Sequence, residues 1–367
     1  MKILVIGTPK RDFHIGFDTF VLGLSKTGME FDHYPDIVKQ SYGQTGTYQM
    51  KFEGRGISYP AYQEVVRNLK RKKYGLIITT VARVDYGGGK HGVLSTVSRS
   101  LKYSLQSNKH KMGGTLVLDW IKQGLKLPPF AVLDDLDEPF IHPVDYGLLL
   151  HSAMYFKREL PFNRFMAFRL FKFHLTNEEL MTLALKLRPV WTGYDPDSIS
   201  VCTPMDGLTP YHERDIDITF LGSTYASYQR RLLLPLLDKL AEKYKVVSPK
   251  NGRLTKAEFY STLKRSKICV SPEGRGWDAP KHYELPLFGG LLFLNRPTIE
   301  IKAGFKDAEN CVFVDNLFRD FDSLSRHYLS NIARSAVIAQ KGHELAKNEL
   351  DCGSLARYVV NSLKEVV

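Results

Sequence analysis

The sequence predicts an α/β protein built from two Rossmann-like halves in series. Three observations carry that reading. Short apolar runs alternate with helical periodicities from the first residue onward, as parallel strands covered by helices on both faces require. A proline-rich stretch interrupts the alternation in the middle of the chain. Beyond it the same alternation starts again.

In chain order, Lys2–Ile6 is a continuous apolar run ending at Gly7, the pattern of a buried parallel strand that feeds a loop. Residues 15–28 form a helix with Phe17, Phe20, Val21 and Leu24 on one face. The stretch EVVRNLKRKKYGLIITTV gives a helix with a basic end and a strand over Leu76–Val81. A helix at 92–105 follows YGGGKHG, and FAVLDDLDEP is a strand entering an acidic loop. The segment carrying Pro189, Pro196, Pro204 and Pro210 has little periodicity and marks a domain junction. Then come a strand at Ile216–Leu221, a helix at 226–243 and the strand YKVVS. A helix at 254–264, the strand KICVS, a helix at 280–288 and the strand GLLFLN complete the second half, and the chain is helical from about 320. The expected organisation is residues 1–190, 191–340 and a helical tail at 341–367 that packs back on the first domain.

Composition narrows the class. Of 367 residues, 43% are hydrophobic and 21 are Phe and 19 Tyr, enough to fill two cores, so a disordered or low-complexity chain is excluded. Lysine and arginine number 51 against 39 acids, a formal charge of +12. That balance favours phosphate-bearing partners: nucleotides, nucleic acid or anionic lipid. Cys202, Cys269, Cys311 and Cys352 are far apart and form no CxxC pair, which points to reduced, buried thiols rather than disulfides or zinc. No signal peptide is expected, and LPLFGGLLFL is too short and too broken to span a membrane. A cytoplasmic location, in a bacterium or a phage-infected host, is the expectation.

Chemistry concentrates in SKICVSPEGRGWDAPKHYELPLFGGLLFLNRP, residues 266–297. A strand ends at Ser271, a glycine-containing loop holds Glu273, Arg275 and Asp278, and a helix starts near Pro280, which suits a first turn. Lys281 and Glu284 are three apart and share a helix face. A helix N-terminus and the cations Lys281 or Arg275 suit a diphosphate. Glu284 can accept two hydroxyl hydrogen bonds from a ribose. Arg230 and Arg231, after the FLGS strand with its Gly222, either lie beside the same diphosphate or belong to an ordinary helix surface.

The strand–loop–helix with Glu284, followed by Gly289, Gly290 and a further strand, resembles the donor-binding half of GT-B glycosyltransferases. Within them it is most similar to the spore-protein and exostosin-like group. The order of ITFLGSTYASYQRR, KHYELPLFGGLLFLN and NCVFVDN carries the resemblance over roughly 215–350. What it implies is a GT-B fold with two Rossmann-like domains facing across a cleft. It also implies a nucleotide-sugar donor, UDP-linked for preference, and no essential cofactor or metal. The donor would be held by Gly222, Arg230, Glu273, Arg275, Lys281, Glu284 and Gly289. The Glu-x7-Glu motif of the wider superfamily is not reproduced, since ten residues separate Glu273 from Glu284; no retaining mechanism is carried over.

A second resemblance, to phage DNA β-glucosyltransferases, adds an arginine after the GS strand at Arg230 and a basic residue three before a glutamate at Lys281 and Glu284. It also gives an aspartate that ends a strand four residues ahead of a proline, which would make Asp135 the general base. A glycine–glycine–lysine loop resembles YGGGKHG, making Gly88, Gly89 and Lys90 acceptor-side residues. Asp85 and His91 beside that loop are further base candidates, and Asp12, His14 and Asp18 remain open. Asp134, Asp135, Asp137 and Glu138 invite a cation reading, although no metal is expected of this fold. KRKKYG at 70–75 is a basic helix end or a DNA-phosphate contact, and MYFKREL lines the acceptor side or packs a strand. The leading function is glycosyl transfer to a hydroxymethylated base in duplex DNA, which requires the base to be flipped out. The alternatives are transfer to a saccharide, lipid-linked glycan or small glycoconjugate, and a non-catalytic nucleic-acid or glycan-binding module. Trp277 and Asp278 are expected near the sugar.

Overall fold

The computed structural model describes residues 1–7, 15–36, 55–82, 113–171, 175–200, 203, 207–224, 227–249 and 254–366. The expected helix at 92–105 lies outside the described residues. The chain divides into two compact units: Met1–Pro189 together with Ala356–Val367, and Val190–Leu355.

Unit 1 is a six-stranded parallel sheet in the order β2-β1-β3-β4-β5-β6. Its strands are β1 Lys2–Ile6, β2 Phe31–Tyr34, β3 Tyr74–Thr80, β4 Phe130–Asp134, β5 Met154–Lys157 and β6 Leu187–Pro189. β1, β3 and β4 are apolar along most of their length because helices cover both faces of the sheet. The helices are α1 Ile15–Lys26, α2 Tyr62–Lys70, α3 Gly113–Lys122, α4 Tyr146–His151 and α5 Asn177–Lys186. Phe17, Phe20, Val21 and Leu24 of α1 are buried, the face that periodicity picks out. α3 approaches the end of β3 so closely that a Cβ at Gly114 would lie 2.8 Å from the Thr80 carbonyl; no other residue fits. The core joins Leu4 and Ile6 to Ile77, Val132, Trp120 and Tyr155.

Unit 2 is a five-stranded parallel sheet in the order β11-β10-β9-β7-β8. The strands are β7 Ile216–Thr219, β8 Val246–Val247, β9 Ser266–Ser271, β10 Leu291–Asn295 and β11 Val312–Val314. Its helices are α6 Pro196–Ser200, α7 Tyr228–Ala241, α8 Lys256–Lys264, α9 Pro280–Glu284, α10 Phe321–Ser330 and α11 Ile332–Glu349. α9 is shorter than the expected 280–288 and continues as a 3-10 turn over Leu285–Phe288. Pro286 has no N–H for the α ladder, so the helix cannot continue unchanged. The unit runs to Leu355, past the expected 340, and α11 belongs to it; a Cβ at Gly342 on α11 would meet the Asn310 carbonyl at 2.5 Å. The last helix, α12 Cys352–Lys364, crosses the division, and its residues from Ala356 onward belong to unit 1.

The two sheets share one topology. Numbered within its own unit, each runs 2-1-3-4-5, and unit 1 adds a sixth strand. In this doubly wound order the chain reverses direction between the first and third strands, and the C-terminal ends of those strands frame a ligand crevice. In unit 2 that point lies between β7 and β9. Among the described residues, Cys269, Cys311 and Cys352 are buried free thiols, and no helix is long and apolar enough to cross a membrane.

Candidate functional site

The C-terminal ends of β7 and β9 gather the chemistry of unit 2. β7 stops at Thr219, earlier than the expected Leu221, and the chain turns so that the Leu221 carbonyl accepts a hydrogen bond from Lys281 Nζ. Gly222 follows, where a Cβ would press on the Phe220 ring at 2.6 Å. Ser227 caps α7 by accepting from the Arg230 amide at 3.2 Å, which fixes the helix turn that carries the Arg230 side chain.

The Arg230 guanidinium is buried and donates to three backbone carbonyls. Nε reaches Glu273 at 3.0 Å, Nη2 reaches Pro272 at 3.3 Å and Nη1 reaches Ser223 at 3.3 Å. It therefore ties the loop after β7 to the loop after β9. Arg230 and Lys281 line one small cavity with Gly222, Ser271 and Pro272. The Lys281 ammonium stands 5.0 Å over the Phe259 ring. Burial, reinforced by the Arg230 charge and opposed by Glu284, pulls its pKa down from 10.5 to about 8. Glu284, one turn further along α9, is buried.

The loop after β9 is held from β10. The Glu273 amide donates to Asn295 Oδ1 at 2.7 Å, and Asn295 Nδ2 donates back to Glu273 Oε2 at 3.1 Å. Burial raises the Glu273 pKa, partly offset by Asn295 and Arg230. Trp277 Nε1 donates to the Asn295 carbonyl at 2.9 Å. His282 lies between the Trp277 carbonyl, 2.7 Å from Nε2, and the Ser271 hydroxyl, 2.9 Å from Nδ1. Nε2–H donates and Nδ1 accepts, so the ring is neutral; burial drives its pKa to about 3.

The acidic stretch of unit 1 resolves into separate pairings. Asp134 accepts from Tyr155 at 2.9 Å and from the Leu136 amide at 3.2 Å, and it pairs with the buried Lys157 ammonium at 3.1 Å. Asp135 accepts from the Phe17 amide in the first turn of α1 at 3.2 Å. Asp137 pairs with Arg158, and Glu138 lies 2.6 Å from His142. Among the described residues no group of three or more His, Cys, Asp or Glu is arranged to hold a metal.

Against known proteins, no family model matches the sequence and no curated protein is similar to it by sequence. Solved structures match over nearly the full length. One is an alpha-glucosyltransferase in complex with UDP-glucose and DNA containing an abasic site, with TM-score 0.54, 11% identity and 99% of each chain covered. Another is HepE from Anabaena in complex with UDP-glucose, with TM-score 0.53, 12% identity and 100% of each chain covered. A third is a glycosyltransferase from Rickettsia africae, with TM-score 0.56, 9% identity and 100% and 98% covered. The fold is GT-B.

On the GT-B frame, the expected donor residues separate into two groups. Gly222, Arg230, Glu273, Lys281 and Glu284 come together at or beside the β7/β9 crevice, and Arg275 is an exposed residue of the same loop. Gly289 is elsewhere. It ends the 3-10 turn at φ 69°, where a Cβ would meet Arg214 Nη2 at 2.7 Å, and Arg214 also donates to the Ser266 carbonyl at the start of β9. That is the opposite end of the sheet. Trp277 and Asp278 are buried in structural roles, Asp278 accepting from Thr192 and Tyr283. Asp85, Gly88, Gly89, Lys90 and His91 lie outside the described residues, as do Asp12 and His14; Asp18 is on α1. Asn295, Phe259 and His282 were not anticipated. Only the proximity of 266–297 hinted at the first and last of these; nothing in the sequence marked Phe259. In unit 1 the buried His33 was also unforeseen. Its Nδ1–H donates to the Pro35 carbonyl at 2.7 Å, and burial lowers its pKa to about 4.

Proposed function

We propose that this chain is a glycosyltransferase that uses a UDP-sugar donor. The supporting observation is the convergence of Arg230 and Lys281 on the β7/β9 switch point of a GT-B unit, with Glu273 and Glu284 beside them. Two cations at the C-terminal edge of a parallel sheet suit a diphosphate, and a neighbouring carboxylate suits ribose hydroxyls. In the transfer, the bond from the anomeric carbon to the diphosphate oxygen breaks, the acceptor oxygen forms the new bond, and a base takes the acceptor's proton. Lys281 and Arg230 stabilise the charge that accumulates on the departing UDP. Asp135, held by the Phe17 amide, is the leading base candidate; Asp85 and His91 are the next, and Asp12, His14 and Asp18 stay open.

For the acceptor, the leading reading is a hydroxymethylated base in duplex DNA. The +12 charge supports it, as does the shared fold with an alpha-glucosyltransferase bound to DNA. A saccharide acceptor is the second reading, supported by the shared fold with HepE, whose structure holds UDP-glucose. The test is a thermal-shift and turnover panel of nucleotide sugars, with and without hydroxymethylated duplex DNA. Stabilisation by UDP-sugars with DNA-stimulated turnover supports both parts. Stabilisation with turnover only on saccharides moves the acceptor to the second reading. No stabilisation by any nucleotide sugar overturns the proposal.

A further inference from the structure

Unit 1 carries a concentration of exposed apolar side chains that neither its core nor the donor chemistry uses. Of thirteen large apolar residues that are exposed among the described residues, seven fall within 144–185. Phe162 is 62% exposed, Leu185 65% and Met181 51%, with Phe165, Met166 and Leu150 also exposed. Two short elements bring them together. The 3-10 turn Arg164–Phe168 presents Phe165 and Met166, and α5 presents Met181 and Leu185 one turn apart on the same stripe. Arg164 joins the two, donating to the Leu187 carbonyl at 3.1 Å. Lys186 extends the face to α4, donating to the Leu150 carbonyl at 2.7 Å.

Between turn and helix runs an open groove of about 780 Å³, with Phe168 and Leu175 buried in its floor and Phe165, Met166, Met181 and Arg169 on its rim. The charges around this face are mostly positive. Arg164, Lys186 and Arg188 gather at the C-terminal end of α5, and the Lys186 and Arg188 hydrogen bonds run to backbone carbonyls, which leave their charge intact. Arg169 is exposed beside the groove. Glu178 and Glu179 sit at the other end of α5, where Glu179 closes a capping box with Thr176.

We propose that this face of unit 1 docks on an anionic lipid surface, with the apolar side chains entering the interface and the arginines and lysine meeting headgroup phosphates. Exposed apolar patches of this kind mark binding surfaces. Phe, Leu and Met at the centre with cations at the edge is the arrangement of a segment that lies in the membrane interface. A nucleic-acid track would place cations along its middle, where this face places Phe165, Met181 and Leu185. No helix among the described residues is built to span a bilayer, so attachment here is to the surface. The inference does not rest on the donor chemistry.

The experiment is vesicle co-sedimentation of the full chain, with phosphatidylcholine vesicles against phosphatidylcholine–phosphatidylglycerol vesicles. Wild type should partition to the phosphatidylglycerol vesicles, and the triple variant Phe165→Ser, Met181→Ser, Leu185→Ser should bind them at least about tenfold less. Arg169→Glu should remove most of the preference for anionic over neutral vesicles. Because these positions are exposed, the variants should melt close to the wild-type temperature, which separates lost docking from lost folding. Absence of wild-type binding to anionic vesicles, or equal binding by the triple variant, overturns the proposal. So does a triple variant that loses duplex-DNA binding while keeping vesicle binding. UDP affinity, measured in parallel, should be the same in all variants, so a failure here is distinct from a failure of the glycosyltransferase reading.

Discussion

Lys281 is the residue on which the proposed donor site turns. Its ammonium is held by the Leu221 carbonyl and the Phe259 ring, and burial, reinforced by the Arg230 charge, lowers its pKa to about 8. That arrangement suits the diphosphate of the proposed donor. Two consequences follow at this scale. Affinity for UDP should fall as pH rises through about 8, because the ammonium loses its proton there; a bound diphosphate raises the pKa and draws a proton in. Lys281→Met should weaken UDP binding by about tenfold or more, in line with the roughly 1.5–3 kcal/mol of a hydrogen bond to a charged group, and should flatten the pH profile above 8. Calorimetry in buffers of different ionisation enthalpy checks both, and a pH-independent wild-type affinity would refute the role. The stability sign is separate. A lysine whose folded pKa lies below its unfolded value binds fewer protons folded, so its contribution makes the protein more stable as pH rises from about 8 toward 10.5.

At the scale of elements, the loop after β7 and the segment from β9 to β10 meet two different glycine requirements. Gly222 gives room to the Phe220 ring beside the cationic pair, whereas Gly289 supplies the left-handed residue that ends the 3-10 turn against Arg214. Gly289→Ala meets both an unfavourable φ of 69° and a 2.7 Å approach to the guanidinium. It should therefore cost about 1–3 kcal/mol of unit 2 stability while leaving UDP affinity unchanged. Denaturant unfolding with parallel UDP titration checks this. A loss of affinity at full stability would return Gly289 to the donor site. The same segment shows what contiguity makes legible. Lys281 and Glu284 share a helix face by spacing alone, and that spacing survives folding. Asn295, which holds the loop from the next strand, is twenty-two residues from Glu273, and no local pattern connects them.

At the scale of the whole chain, the C-terminus completes unit 1. From Ala356 onward α12 belongs with the first sheet: the Tyr358 ring meets Phe156 edge-on at 5.8 Å, and its hydroxyl donates to the Pro189 carbonyl at 2.9 Å. Tyr358→Ala removes both contacts and should destabilise unit 1 by about 2–4 kcal/mol, with UDP binding retained. A melting curve that shifts in the UDP-stabilised transition instead would place the residue's role in unit 2. The alternation of apolar runs and helical periodicities was enough to place most strands of both sheets, because buried parallel strands are apolar from end to end. β2, β6 and β11 were not placed as strands and β5 was left open, since Asp32 and His33 in β2, Lys157 in β5 and Arg188 and Pro189 in β6 break the apolar run and β11 is only three residues long; the partners Tyr74 for Asp32, the Pro35 carbonyl for His33 and Asp134 for Lys157 are supplied only by folding. Strand periodicity and helix-face spacing are local, so a two-unit α/β chain and a charged cluster at 266–297 are legible before folding. That Arg230 and Lys281 share one crevice, that Gly289 lies at the far end of the sheet and that Asp135 meets the first turn of α1 emerge only on folding. Those facts depend on strand order, which joins residues distant in sequence and which the burial of both sheet faces enforces.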